Sequence, residues 1–337
     1  MIETILALYL FNTNVDFDRF ADEFTECGFN TIITSPFVFE KAEFQRMVKK
    51  RNLQVVYNFP VFCNTEYLNE HPESYCITSE HRQAIGADWL QFVCPTDDNH
   101  LEFQKKHLSE ILDRYDPKIV SLDFIRHYVF WEKVYPEQSL ESIEDGCYCD
   151  GCLDAFEQSL GKPLEERSKD WIYAHHREQW AAWKCHIIEH TVAELTGMIR
   201  SYNPDIQIGI KIVPWRESDF GGAIRSVAGQ DVQALSKYFD FFVPMTYSHM
   251  VKQEPRWIQQ VVDEIHTQTG KSTLSCLQME KTYLDTPLEI EEFRATLSAA
   301  LEAPAQGTCV FHYDVLGNDI DKNESLKTEF STLSNQD

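Results

Sequence analysis

The segment CYCDGCLDAF sets Cys147, Cys149 and Cys152 in a C-x-C-x2-C array, and Cys94 stands upstream in a Cys-Pro pair after the apolar run 89–93. Four thiolates at such spacing can close on one tetrahedral zinc ion, which then supplies the cohesion that a loop without a hydrophobic core lacks. A shell of four sulfurs leaves no open position, so this zinc would be structural, and no cofactor for catalysis follows from it. Spacing alone leaves a second reading open, in which the same cysteines are reduced thiols packing a loop. Cys27, Cys63, Cys76, Cys185, Cys276 and Cys309 are scattered along the chain and suit burial as small hydrophobes.

Carboxyl groups at the ends of apolar runs are the next candidates for chemistry. Asp123 closes such a run in IVSLDFIRH, where a carboxylate is costly unless it is paired or functional. Arg126 could hold it ionised, as a buried ion pair or while binding hydroxyl groups, and His127 could donate to a substrate oxygen. Glu280 follows the run in STLSCLQMEK, beside Lys281. The stretch CVFHYD delivers His312 and Asp314, and IKIVPWR delivers Lys211, Trp215 and Arg216. A lysine in an apolar strand needs a partner, so Lys211 is a companion for Asp123 or Glu280. FDFFVPMTY brings Tyr247, with His249 just beyond. Aromatic residues form 13% of the chain, and Trp131, Trp215 and Tyr247 are the rings best placed to stack on a sugar.

Such groups need elements that gather them. Short apolar runs at 4–10, 31–34, 54–59, 119–124, 207–212, 241–245, 273–277 and 308–311 alternate with amphipathic stretches at 17–26, 41–50, 102–115, 255–269 and 288–302. Runs rich in Ile, Val, Phe and Leu without strict alternation read as parallel strands buried on both faces. Eight such units predict an α/β fold, a (β/α)8 TIM barrel spanning residues 1–337, and a barrel of about 250 residues accommodates insertions. One connection breaks the rhythm: residues 128–202 form a loop and long-helix excursion after the fourth strand, irregular over 128–169 and helical over 170–202. Loops after barrel strands shape the active face, so the excursion is expected to wall a substrate cleft.

The formal net charge of −24 opposes contact with nucleic acid or anionic lipid, and no basic run offsets it. The opening MIETILALYLF has an acidic residue where a secretory signal needs basic ones, and its apolar run is too short to span a bilayer. It therefore reads as the first strand of a cytoplasmic protein with reduced cysteines, whose oligomeric state the sequence leaves open.

The C-x-C-x2-C array, with Phe156 four residues on and an upstream cysteine, resembles the zinc cluster of family 42 beta-galactosidases. A group of hypothetical glycoside hydrolases is similar too, with pieces matching 94–98, 121–126 and 147–156 here and weaker support from 239–247. The resemblance implies a TIM barrel that hydrolyses glycosidic bonds in a carbohydrate substrate, with the nucleophile drawn from the seventh strand end, where Glu280 lies. The pattern departs at the fourth strand, where that family carries Asn-Glu and this chain has Leu122-Asp123. Hydrolysis needs two carboxyl groups across the scissile bond, so Asp123 and Glu280 form the expected catalytic pair. Arg126, His127, Trp131, Lys211, Trp215, Tyr247, His312 and Asp314 would shape the subsite. Two alternatives remain: a metal-dependent barrel hydrolase using His127, His249, His312 and Asp314, and a carbohydrate-binding barrel without catalysis.

Overall fold

The computed structural model describes residues 4–302 and 304–334. Eight parallel strands close into a barrel in spatial order, β1 (Ile5–Leu10), β2 (Thr31–Thr34), β3 (Gln54–Pro60), β4 (Ile119–Asp123), β5 (Gln207–Ile212), β6 (Phe241–Pro244), β7 (Ser272–Gln278) and β8 (Gly307–Phe311). Pairing of Ile5 with Gly307 and Leu8 with Val310 seals β8 against β1. The closure demands glycine at 307, because a Cβ there would stand 1.9 Å from the Ile5 carbonyl oxygen. Each strand falls within one or two residues of the run that announced it, since strands covered by helices outside and side chains inside are mostly apolar along their length.

Helices α1 (Phe17–Glu26), α2 (Ala42–Arg51), α3 (Asp98–Tyr115), α4 (Asp150–Leu160), α5 (Lys169–Tyr202), α6 (Trp257–Thr269), α7 (Ile290–Leu301) and α8 (Ile320–Ser334) make up the longer helical elements. Their starts obey capping chemistry: the Asp16 carboxylate accepts from the Asp18 and Arg19 amides, and Asp97 accepts from His100. None of the described helices is long and apolar enough to cross a membrane.

The excursion differs from its expectation in one respect. A helix, α4, interrupts the stretch read as irregular, starting where the Cys149 side chain accepts from the Cys152 amide at 3.4 Å. A second, shorter excursion follows β3, with a helical turn at Thr65–Glu70 and an antiparallel pair, Ile85–Ala87 against Leu90–Gln91. Isolated bridges between Thr78 and Gly146 and between Val129 and Asp145 stitch the loops together.

Candidate active site

Asp123 sits at the C-terminal end of β4, 7% exposed, and no ion pair joins it to Arg126 among the described residues. Its carboxylate instead accepts from the Asn58 side-chain amide on β3 and from the Phe124 backbone N–H, both at 2.8 Å. Burial outweighs these two hydrogen bonds and pushes its pKa up to about 6. Glu132, in the loop beyond β4, is equally enclosed, and burial raises its pKa to about 7 against the opposing pull of the Arg126 charge. Asp123 adds to that rise, so the two acids feel each other across the same space.

Arg126 is fixed between them. Its guanidinium carbon lies 4.8 Å over the Phe92 ring and 5.8 Å over Phe124, while Nη1 donates to the His127 and Val129 carbonyls. Nε and Nη2 of Arg126 and Oε2 of Glu132 are buried without hydrogen-bond partners among the described residues. Buried donors and an acceptor without protein partners are groups that a hydroxylated ligand or water can satisfy. The search for acids at strand ends missed Glu132 because it lies well past β4; its placement in FWEKVYP, an acid among aromatics, is the signal that could have found it.

Aromatic rings floor this space. Trp131, fully buried, stacks on Tyr247 with centroids 6.1 Å apart and planes at 21°. Tyr247 meets Phe311 at 5.5 Å, and Phe311 meets Tyr9 at 5.6 Å and Phe11 at 5.5 Å. Lys211 crosses the barrel interior from β5 to donate to the Tyr9 hydroxyl, and its ammonium lies 4.3 Å over that ring. Burial lowers its pKa. Above the acids, three loops converge at the rim: Trp89 meets Phe130 at 6.1 Å, Phe130 meets Tyr283 at 5.5 Å, and the Lys133 ammonium stands 4.5 Å over Phe130.

The remaining expected residues lie elsewhere. Glu280 is exposed immediately beyond β7. His127 is buried toward α5, its Nε2 3.3 Å from the Lys184 carbonyl, and burial holds its pKa well below the ordinary value. Trp215 lines a small cavity with Arg216, Glu217 and α6 residues Val261, Glu264 and Ile265. His312 packs 4.7 Å from Phe311 and 3.4 Å from the Asp314 carboxylate, which also accepts from Asn12 at 2.9 Å. His249 is bound to Glu292 at 2.9 Å and to the Thr286 carbonyl at 3.0 Å. Among the described residues, therefore, the His and Asp set of the metal-hydrolase alternative does not converge; the cysteine quartet is the group that does.

In that quartet, the ligand atoms of Cys94, Cys147, Cys149 and Cys152 lie within 4.8 Å of one another. Cys94 Sγ is 3.7 Å from Cys149 and 3.4 Å from Cys152. A tetrahedron of sulfurs about 2.3 Å from a central ion has edges of about 3.8 Å, so the donor set fits a metal. The Ile77 amide donates to Cys147 at 3.3 Å, and Cys149, hydrogen-bonded by the other three cysteines, has its pKa depressed.

No protein-family model matches the chain, and no curated protein is similar to it. Solved structures share its fold. The glycoside hydrolase domain of PgaB (BpsB) from Bordetella bronchiseptica superposes with a TM-score of 0.70 at 14% identity, over 97% of this chain and 98% of that one. A beta-galactosidase from Marinomonas ef1 gives 0.71 at 10% identity over 98% of this chain and 59% of its own. A catalytic mutant of Gan42B, a GH42 beta-galactosidase from G. stearothermophilus, gives 0.68 at 10% identity over 100% and 57%. The chain thus spans under two thirds of the length of these galactosidases.

Proposed function

We propose that the chain hydrolyses a glycosidic bond in a carbohydrate at the C-terminal mouth of the barrel, with Asp123 and Glu132 as its carboxyl pair. The observation that carries this reading is two buried acids with raised pKa values beside one arginine whose Nε and Nη2 lack partners among the described residues. Glu132, the more proton-retentive, donates to the leaving oxygen; Asp123, held by Asn58 and the Phe124 amide, is the carboxylate that attacks or activates water. Arg126 binds sugar hydroxyls, and Tyr247, backed by Trp131, offers a ring face to the pyranose. Lys211 closes the floor of the subsite from inside the barrel through its contact with Tyr9. Substrate entry requires the Trp89 and Tyr283 loops to part over the acids. Support from outside the chain is the fold shared with solved glycoside hydrolases.

Glu280 is the competing second carboxyl group, favoured by its position at the end of β7. A panel of 4-nitrophenyl glycosides and oligosaccharides, assayed with D123N, E132Q and E280Q, separates the two. Loss of about 10²- to 10⁴-fold in turnover is expected for D123N and E132Q, with E280Q close to the parent. Loss in E280Q with E132Q unaffected transfers the role to Glu280, and sugar binding without turnover in the parent leaves the non-catalytic binder. We further propose that the cysteine quartet holds a structural zinc ion away from the reacting groups.

A further inference from the structure

Cys276 on β7 and Cys309 on β8 stand side by side in register, both fully buried, with their sulfurs 2.8 Å apart. That separation is shorter than the roughly 3.5–4.0 Å at which unbonded heavy atoms settle and longer than the ~2.05 Å of a disulfide. In-register residues on neighbouring strands have Cα atoms about 4.8 Å apart, inside the roughly 4.4–6.8 Å window that a disulfide spans. Backbone geometry therefore permits the bond with no more than a small rotation of the side chains. Both thiols face the barrel interior. Cys276 Sγ lies 3.9 Å from the Tyr9 hydroxyl, which receives the Lys211 ammonium from across the barrel. No other use for the pair arises in the proposed hydrolysis.

We propose that Cys276 and Cys309 are a redox-sensitive pair, converted by hydrogen peroxide into a disulfide that ties β7 to β8 beneath the floor of the mouth. The step balances. One thiolate, facing the Lys211 ammonium, attacks the peroxide O–O bond, forming an S–O bond and releasing hydroxide, which takes up a proton to become water. The sulfur of the second thiol displaces the hydroxyl of the sulfenic acid as a second water, closing the S–S bond. Each sulfur loses one electron, the peroxide gains two, and the two thiol protons leave in the two waters. Burial, with the neighbouring Cys276, holds the Cys309 pKa well above its ordinary value and Lys211 pulls against that rise, so the reactive thiolate is a minor species and the oxidation is slow. A peroxide molecule is little larger than water and reaches the pair through transient opening of the packing, whereas oxidised glutathione is excluded by its size.

This inference goes beyond the hydrolase reading and is independent of it. Intact protein is exposed to hydrogen peroxide or to oxidised glutathione, free thiols are alkylated under denaturing conditions, and the digest is mapped by mass spectrometry. Peroxide is expected to yield joined peptides carrying Cys276 and Cys309, 2 Da lighter than the sum of the two thiol peptides once the join is counted, and dithiothreitol to release them. Oxidised glutathione is expected to leave both alkylated. C309S and C276S serve as assignment controls, and because the decisive digest is of the unmutated protein, poor folding of either leaves the result intact. Full alkylation of both cysteines after peroxide, or joining of either to a cysteine of the 94–152 group, overturns the proposal.

Discussion

At the scale of single residues, the candidate site consists of groups held against their solution preference. Asp123 and Glu132 titrate near 6 and 7 because both are enclosed. Raised values mean that the folded chain binds these protons more tightly than the unfolded one. Between pH about 4 and about 7 folding takes up protons, so the stability the two acids allow is full below about pH 4 and falls as pH rises through their folded values. Each shift corresponds to at most roughly 3 kcal/mol at neutral pH, shared where the two acids interact. D123N and E132Q, which mimic the protonated forms, should raise the melting temperature at pH 8 and leave it unchanged near pH 4; thermal unfolding at the two pH values checks this, and equal effects at both would refute it. Catalysis should peak between the two values, near pH 6 to 7 in a kcat/KM profile, because one acid must be charged and the other protonated. Asp123 was legible in the sequence as an acid ending an apolar run. Glu132 was legible only through its aromatic neighbours in FWEKVYP, because it lies past the strand end and the fold, not an apolar run, buries it.

At the scale of elements, periodicity located the strands closely, and capping residues such as Asp16 and Asp97 explain the helix starts. Reading failed where an element is organised by something other than apolar period. Helix α4 begins within the cysteine array: Cys149 caps it and Cys152 occupies its first turn, so the amides that stabilise thiolates and the start of the helix are the same feature. The two-stranded insert after β3 was unreadable because strands of two and three residues carry no alternation to detect. The four thiolates meet at the start of α4, whose far side packs Phe156 on Trp180 and Trp183, so removal of the proposed zinc should loosen the first turns of α4 before the barrel. Incubation with a strong chelator should therefore release about one zinc per chain and abolish amide protection over the first turns of α4 while β1 to β8 keep theirs, as read by hydrogen exchange. Metal-free protein with unchanged protection would show the quartet to be plain packing.

At the scale of the whole molecule, the excursion is docked by a charge cluster that the sequence did not announce. Asp145, fully buried, accepts from Lys184 on α5, lies 3.4 Å from the Lys169 ammonium, and receives the Tyr148 hydroxyl at 3.2 Å. Lys184 also donates to the Val227 carbonyl, beyond β5, at 3.1 Å. One carboxylate therefore compensates two buried ammonium groups and connects the loop carrying Glu132, the long helix and the barrel. Charges so distant in sequence have no local pattern, which is why composition and period passed over them. Removing the shared anion strands both lysines, so D145A should cost about 3–5 kcal/mol, whereas replacing Asp145 and Lys184 together by apolar residues of similar volume should cost far less. Because the lost contacts belong to the excursion, D145A should also separate two events that coincide in the parent: burial of Trp180 and Trp183, followed by fluorescence, should fail at a lower temperature than the barrel's circular dichroism. If the two probes still melt together, the excursion and barrel are one cooperative unit, and Glu132 is held by the barrel as a whole and not by this clamp.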